Sequence, residues 1–179
     1  MYNDLEKILI TKEQIAKRVK EVAAELDRDY EGKNPIAVCI LKGSALFFAD
    51  LVREMKIPLQ FDFLSISSYG NKTRSSGEVK MIKDLDNKIE NRHVILIEDI
   101  VDSGYTLTYL KKMLASRMPA SIKVCTFLDK KCRREVPLEP DYCCFDIDDY
   151  FVVGYGLDFA QKYRNLPEVG VLKPEMYNN

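Results

Sequence analysis

The chain has 179 residues, with 27 Lys and Arg against 28 Asp and Glu, five Cys, one His and no Trp. This length fits one domain that buries roughly 70% of its extended surface, enough for a core without disulfides. A net charge of -1 argues against the positive field that non-specific nucleic-acid or membrane binding requires, and the single His93 excludes a site of clustered histidines.

The cysteines and the N-terminus bear on the location of the protein. The number of cysteines is odd, and Cys39 and Cys125 lie in apolar runs, a pattern typical of reduced thiols in a core. Residues 1–14 carry no basic segment followed by a long apolar stretch, and no apolar run approaches the roughly 18 residues of a membrane span. We therefore expect a soluble, cytoplasmic protein without membrane contact.

The first half of the chain predicts helices alternating with strands. Residues 11–30 place apolar side chains at steps of three and four, and Thr11 and Gln14 have the spacing of a capping box. Residues 36–41 are apolar on both faces, which indicates a strand buried on both sides. The elements expected next are a loop at 42–44, a helix over 45–55, and strands over 59–66 and 78–82.

The second half continues this alternation. Residues 93–97 predict another buried strand, and a helix over 106–118 follows, which Pro119 ends. Further apolar runs lie at 122–128, 142–145 and 151–153, before a tail interrupted by Gly154, Gly156, Pro167, Gly170 and Pro174. The pattern predicts a single α/β domain over 1–179, with a mainly parallel central sheet flanked by helices.

The stretch VILIEDIVDSGYT at 94–106 carries the most chemical information. It predicts a buried strand that delivers Glu98 and Asp99 at its carboxyl end, which is where open α/β sheets bind ligands. A generic strand and turn with solvated acids would be the alternative for so short a pattern.

The loop that follows the acids suits a phosphate. Backbone N–H groups from Asp102 to Thr106, with the hydroxyls of Ser103 and Thr106, can surround a phosphate at the positive end of the next helix. Gly104 allows the backbone to come close. In the alternative interpretation, Asp102 or Ser103 simply caps the helix.

This stretch resembles the phosphoribosyl-pyrophosphate signature of the type I phosphoribosyltransferases. The resemblance extends along nearly the whole chain. Taken together, the matching segments resemble the bacterial hypoxanthine-guanine branch of that family. Its further segments are LKGS at 41–44, Ser68 and Tyr69, DKK at 129–131, and FVVGYGLDFAQKYRNLP at 151–167. It implies the type I phosphoribosyltransferase fold with a small hood subdomain, a mobile hood loop at about 67–83 and a base-recognition segment at about 130–170.

The resemblance also implies an activity. Enzymes of this branch transfer the 5-phosphoribosyl group from phosphoribosyl pyrophosphate to N9 of hypoxanthine or guanine, which gives IMP or GMP and pyrophosphate. They use Mg2+, a hard cation that takes oxygen ligands. A homodimer or homotetramer is the usual assembly, and no nucleic-acid partner is implied.

The family roles transfer to matching residues of this chain. Asp102 would accept the purine proton, and Glu98 and Asp99 would face the ribose hydroxyls and the magnesium ion. The residues that would bind the phosphoribosyl group are Glu98, Asp99, Asp102, Ser103, Gly104, Tyr105 and Thr106. Those that would contact pyrophosphate are Lys42, Gly43 and Arg164.

Base recognition and the lid complete the implied site. Lys130 would donate to the 6-oxo group, Phe151 would stack on the purine, and the Val152 main chain would bind its edge. Asp158 would lie near the base and a second metal site. Ser68 and Tyr69 would belong to a lid that excludes water.

Two other functions remain open at this point. Within the enzyme class, the alternative is a xanthine-preferring or a pyrimidine relative, although Lys130 and the segment from Phe151 to Arg164 favour the purine enzyme. An RNA-binding regulator on the same fold is supported only by the basic cluster of Lys130, Lys131, Arg133 and Arg134, a pattern usually found on a solvated face. The sequence contains neither a GxxxxGK[ST] nor a GxGxxG motif, which disfavours a P-loop kinase and a Rossmann dehydrogenase.

Overall fold

The computed structural model describes residues 1–68 and 79–177, so Tyr69 of the predicted lid lies outside the described residues. The helices are α1 (Lys12–Tyr30), α2 (Ala45–Glu54) and α3 (Tyr105–Ala115). The strands are β1 (Leu5–Ile10), β2 (Ile36–Leu41), β3 (Gln60–Ser68), β4 (Val79–Lys83), β5 (His93–Val101), β6 (Ser121–Asp129), β7 (Tyr142–Asp146), β8 (Val152–Val153) and β9 (Val169–Leu172). Short 3-10 turns lie at Tyr2–Asp4, Lys131–Arg133 and Pro174–Met176.

Among the described residues, six strands form the central sheet in the order β4-β3-β2-β5-β6-β7. Strands β3, β2, β5, β6 and β7 run parallel, and β4 pairs with β3 in the antiparallel sense. The predicted α/β architecture with a mainly parallel sheet is therefore confirmed.

Helices cover both faces of this sheet, which explains the two-sided apolar pattern of its central strands. Ile95 and Ile97 of β5 pack in one core with α1 and α2, whereas Val94 and Leu96 pack in a second core with α3. The predicted capping box at Thr11 is present and fixes the start of α1. Within the described residues, no helix is long and apolar enough to cross a membrane.

A second sheet, with the order β1-β9-β8, corrects the expectation of an irregular tail. β9 pairs antiparallel with both β1 and β8, so the two ends of the chain meet. Gly170 lies inside β9, where a Cβ atom would come within 2.6 Å of the Leu5 side chain. This glycine therefore permits close packing and does not interrupt the strand.

The predicted end of the helix over 106–118 is wrong. Helix α3 ends at Ala115 rather than at Met118, because Ser116 donates its hydroxyl to the Met113 carbonyl and Met118 takes a positive φ of 53°. Pro119 therefore follows the end of the helix at some distance and does not terminate it directly.

Candidate active site

The carboxyl ends of three parallel strands bring most of the predicted residues to one edge of the central sheet. Lys42 directly follows β2, the acids lie in the last part of β5, and Lys130 directly follows β6. Val101 of β5 pairs in register with Asp129 of β6, which aligns the last two of these ends. Segments that are far apart in the sequence therefore form one site.

Glu98 and Asp99 form a buried acidic pair within β5. The side chain of Glu98 is only 8% exposed, and its Oε1 accepts a hydrogen bond of 3.0 Å from the Asp99 backbone N–H. Burial, together with the charge of Asp99, raises the pKa of Glu98 well above its usual value, and burial also raises the pKa of Asp99. Two adjacent carboxyls without a compensating cation resist ionisation, which is the arrangement that a bound cation would relieve.

The loop after β5 presents a helix amino terminus that no side chain caps in the described residues. Gly104 is the N-cap of α3 and takes a left-handed φ of 87°, where glycine is favoured. The alternative that Asp102 or Ser103 caps this helix is therefore not supported. The uncapped first turn keeps its backbone donors for an anion, and Ser103, Tyr105 and Thr106 lie around it.

The Lys42-Gly43 loop packs directly on the acidic pair. A Cβ atom at Gly43 would lie 1.5 Å from Oδ2 of Asp99, so only glycine fits this position without rearrangement. The peptide bond between Leu41 and Lys42 is cis. The Ser44 hydroxyl donates back to the Ile40 carbonyl instead of capping α2.

Arg164 and Asp158 reach the same loop through Gly156. Nη1 of Arg164 donates to the Gly156 carbonyl at 2.7 Å, and a Cβ atom at Gly156 would lie 2.0 Å from the Gly43 carbonyl oxygen. Arg164 thus lies beside the predicted pyrophosphate loop. It also pairs with Asp158 Oδ1 at 2.7 Å, and Asp158 Oδ2 accepts the Gln161 backbone N–H at 2.8 Å, so metal binding by Asp158 would have to displace these partners.

Lys130 is buried rather than solvated. It is 8% exposed, and its Nζ lies 3.9 Å from Asp102 Oδ1 and 3.8 Å from Asp149 Oδ1. The backbone N–H of Lys130 also donates to the Val101 carbonyl at 2.9 Å. The structure thereby brings the predicted base-binding lysine to the predicted proton acceptor.

The rest of the basic cluster is neutralised by neighbouring acids. Lys131 pairs with Asp146 at 2.7 Å and Arg133 with Asp149 at 2.8 Å, while the nearly buried Arg134 pairs with Asp129. These contacts balance the positive charges of the cluster on which the RNA-binding alternative depended.

Phe151 and Val152 lie at the junction of the two sheets. Val152 is buried in β8 and pairs with Val171 of β9. Phe151 is 38% exposed and can therefore meet a ligand. The other lid residue, Ser68, is the last residue of β3.

Sequence reasoning missed two features beside the site. Asp149 lies within reach of Lys130, and nothing in its local pattern distinguishes it from the neighbouring acids. The buried Asp129 and Arg134 pair lies under the phosphate loop, because a Cβ atom at Gly104 would be 3.2 Å from Arg134 Cδ. This arrangement depends on contacts between distant segments, which a short motif does not reveal.

Carboxylate oxygens suit Mg2+, and the described residues contain two acidic groups to compare. Asp129, Cys143 and Asp146 have ligand atoms within 4.8 Å of one another, but Asp129 and Asp146 already pair with Arg134 and Lys131. Glu98 and Asp99 have no such cationic partner at salt-bridge distance among the described residues. The acidic pair is therefore the better match for a magnesium ion.

Comparison with known proteins agrees with this geometry. A family model for the phosphoribosyl transferase domain matches residues 7–160, and the chain therefore belongs to the phosphoribosyltransferase family.

Within this family, the chain is similar to hypoxanthine-guanine phosphoribosyltransferases. A hypoxanthine-guanine phosphoribosyltransferase from Bacillus subtilis is 50% identical over 179 residues, which cover 100% of this chain and 99% of the relative. One from Streptococcus thermophilus is 50% identical over 98% of this chain and 97% of its own length. A crystal structure of a hypoxanthine phosphoribosyltransferase from Staphylococcus aureus superposes with a TM-score of 0.97 at 48% identity, and covers 100% of this chain and 97% of the other.

Proposed function

We propose that the chain transfers the 5-phosphoribosyl group from phosphoribosyl pyrophosphate to N9 of hypoxanthine or guanine, forming IMP or GMP and releasing pyrophosphate. The observation that carries this proposal is the meeting of an acidic pair, an uncapped helix amino terminus and a buried Lys130 beside Asp102 at one sheet edge. Relatives that are 50% identical over nearly their whole length carry the corresponding name.

Each end of phosphoribosyl pyrophosphate has a matching set of donors. The first turn of α3 and the loop residues 102–106 would bind the 5-phosphate through backbone N–H groups. Lys42, the Gly43 backbone and Arg164 would contact the pyrophosphate, where an arginine guanidinium can form paired hydrogen bonds. The Gly43 loop packs against the Asp99 carboxylate, which supports pyrophosphate binding next to the acidic pair.

The acids would act on the charges that develop during transfer. Cleavage at the anomeric carbon builds positive character on the ribose, by analogy with glycoside cleavage. Glu98 and Asp99 would bind the ribose hydroxyls and stabilise that charge. Mg2+ bound at this pair would neutralise the departing pyrophosphate. Asp102, whose carboxylate is 57% exposed, would accept the proton from the purine ring.

Lys130 would determine which bases bind. Its buried ammonium can donate to a 6-oxo group, whereas a 6-amino group is itself a donor and would leave the lysine unpaired. Phe151 would stack on the purine, and the main chain of Val152 would bind its edge. This arrangement favours hypoxanthine and guanine over adenine.

Turnover with phosphoribosyl pyrophosphate and each of hypoxanthine, guanine, xanthine, adenine and uracil, with and without Mg2+, tests the proposal. We expect nucleotide formation with hypoxanthine and guanine, little with adenine or uracil, and loss of turnover when Mg2+ is chelated. A preference for xanthine would favour the alternative purine enzyme. No turnover with any base would overturn the proposal.

The cellular setting follows from the same chemistry. The five cysteines are free, as in a reducing compartment, and we propose the cytoplasm as the location. Assembly as a homodimer or homotetramer remains a prediction, which sedimentation of the purified chain would test.

A further inference from the structure

The ring of Phe151 is held from two sides. It stacks on Tyr177 with a centroid distance of 4.5 Å and an interplanar angle of 16°. Phe159 packs against it edge-on, with a centroid distance of 5.6 Å and an angle of 84°. Both distances fall within the range of favourable aromatic pairs. Because Phe151 is still 38% exposed, these two neighbours do not enclose the residue.

The C-terminal segment contacts Phe151 twice. At the end of β9, the Leu172 backbone N–H donates to the Phe151 carbonyl at 2.8 Å. The chain then reverses in the 3-10 turn Pro174–Met176, where the Tyr177 N–H donates to the Pro174 carbonyl at 3.2 Å. This reversal brings the Tyr177 ring onto Phe151, the residue whose backbone carbonyl is already bound by Leu172.

Tyr177 is itself supported by packing. It is partly buried against the apolar cluster that contains Leu5, Val153, Leu166 and Leu172, so its ring has a fixed backing formed by both ends of the chain. Because Tyr177 is supported in this way, it can hold the Phe151 ring in place before a ligand binds. Phe151 then loses little further freedom when a ligand stacks on it, which favours binding.

We propose that Tyr177 is a positioning residue for the purine base: it holds the ring of Phe151 from one face so that the opposite face stacks on the base. This inference rests on the proposed function, in which Phe151 contacts the purine. It places the end of the chain in base recognition, with no role in binding phosphoribosyl pyrophosphate.

Steady-state kinetics of Tyr177→Ala test this role. We expect the KM for hypoxanthine to rise about two- to tenfold, the range that corresponds to the loss of one aromatic pair. The KM for phosphoribosyl pyrophosphate should change less than about twofold, because Tyr177 stacks on Phe151 and the loops at 42–43 and 102–106 follow strands of the central sheet. Tyr177→Phe retains the ring and should restore the wild-type KM for hypoxanthine.

Two further variants keep the test decisive. Tyr177→Leu preserves apolar cover but removes the stack, so it should raise the KM for hypoxanthine even if Tyr177→Ala fails to fold, as judged by a thermal unfolding curve. Tyr109→Ala removes an exposed tyrosine from α3 and should leave both KM values unchanged.

Three results would overturn the inference. They are an unchanged KM for hypoxanthine in both ring-deleting variants, an equal rise in the KM of both substrates, and a lower KM for hypoxanthine, which would mean that Tyr177 covers the face that the base needs. These results differ from a failure of the proposed function itself, in which the wild-type protein would form no nucleotide at all.

Discussion

Two buried carboxylates of the central sheet, Asp62 in β3 and Glu98 in β5, have opposite environments. Asp62 is 2% exposed and Glu98 is 8% exposed. Asp62 accepts hydrogen bonds from the backbone N–H groups of Phe63, Asp86 and Asn87 and from the Asn87 side chain, at 2.7 to 2.9 Å. Glu98 has instead a second carboxyl, Asp99, beside it.

The pKa values follow these environments. Burial alone would raise the pKa of Asp62, but the hydrogen bonds from Asn87, Phe63 and Asp86 outweigh it, and the pKa is lowered. Burial and the Asp99 charge raise the pKa of Glu98. A buried acid surrounded by donors connects parts of the fold, whereas a buried acid beside another acid is suited to a cationic ligand. The following predictions test whether these two roles are separate.

The largest expected effect is on turnover and comes from Asp102, which follows the acidic pair at the carboxyl end of β5. Asp102→Asn should lower turnover with hypoxanthine by about 10²- to 10⁴-fold, the usual contribution of a general base. The free energy of unfolding should change by less than about 0.5 kcal/mol, since the side chain is largely exposed. The rate of IMP formation and a urea unfolding curve measure the two quantities.

The control for Asp102 is Asp146→Asn, which removes an exposed carboxylate paired with Lys131 and should leave turnover unchanged. Wild-type turnover in Asp102→Asn would rule out the assigned role. Retained binding of phosphoribosyl pyrophosphate by calorimetry would separate lost chemistry from a lost site.

A methyl group at Gly43 should also reduce activity strongly. In Gly43→Ala the new Cβ atom would overlap Asp99 Oδ2, so the loop or the acid must move. Displacement by about 1 Å can cost about 100-fold in rate, and we expect a fall of that size in kcat/KM for phosphoribosyl pyrophosphate. Gly32→Ala serves as the control, because a Cβ atom there meets nothing within 4 Å, although the left-handed φ of 73° at Gly32 should cost stability. Equal kcat/KM of the folded Gly43→Ala and Gly32→Ala variants would contradict the packing argument.

A change at Asp62 should affect stability and spare the chemistry. Asp62→Asn replaces an acceptor oxygen by an amide donor that faces backbone N–H groups, which should lower the free energy of unfolding by about 1–3 kcal/mol. The kcat of the folded fraction should stay within about twofold of the wild type. The control is Asp86→Asn, at a side chain that is 77% exposed, which should have little effect on stability. A large loss of kcat in Asp62→Asn would show that Asp62 contributes to catalysis as well as to stability.

The smallest effect is a difference in pH dependence. The lowered pKa of Asp62 stabilises the fold above the unfolded-state pKa of about 4, and this contribution is lost as the pH falls through the folded-state pKa. The stability gap between the wild type and Asp62→Asn should therefore shrink as the pH is lowered from 7 to below 4. The pKa of Glu98 is raised, so its ionisation destabilises the folded state when the pH rises above the unfolded-state value of about 4.5. Without Mg2+, Glu98→Gln should therefore become more stable relative to the wild type as the pH rises. Parallel curves of stability against pH for Asp62→Asn and Glu98→Gln would contradict the comparison.

Local patterns were sufficient for the central sheet. The two-sided apolar runs of β2 and β5 predicted buried strands, and the capping box at Thr11 predicted the start of α1. The same method missed β1 and β9, because their pairing joins residues more than 150 positions apart and Gly170 suggested an interruption. Strand formation there depends on the partner and not on the local sequence.

The candidate site was predictable where a motif lies on one strand and its following loop. Residues 98–106 and the Lys42-Gly43 loop meet because parallel strands share a carboxyl edge. The burial of Lys130 and Arg134 was not predictable, since four nearby basic residues are usually solvated and their acidic partners lie on other segments. Nor could the sequence place Tyr177 beside Phe151, because a turn near the end of the chain creates that contact.

The antiparallel pairing of β1 with β9 also determines how the protein would respond to mechanical force. Leu5 pairs with Leu172, and Ile10 with Val169, so the start of β1 and the end of β9 lie at the same end of the ribbon. Tension between the two termini would separate these pairs one after another, as in a zipper, instead of loading all of them at once. The segment that supports Phe151 would be released first, while the parallel sheet and its phosphate loop would still be folded.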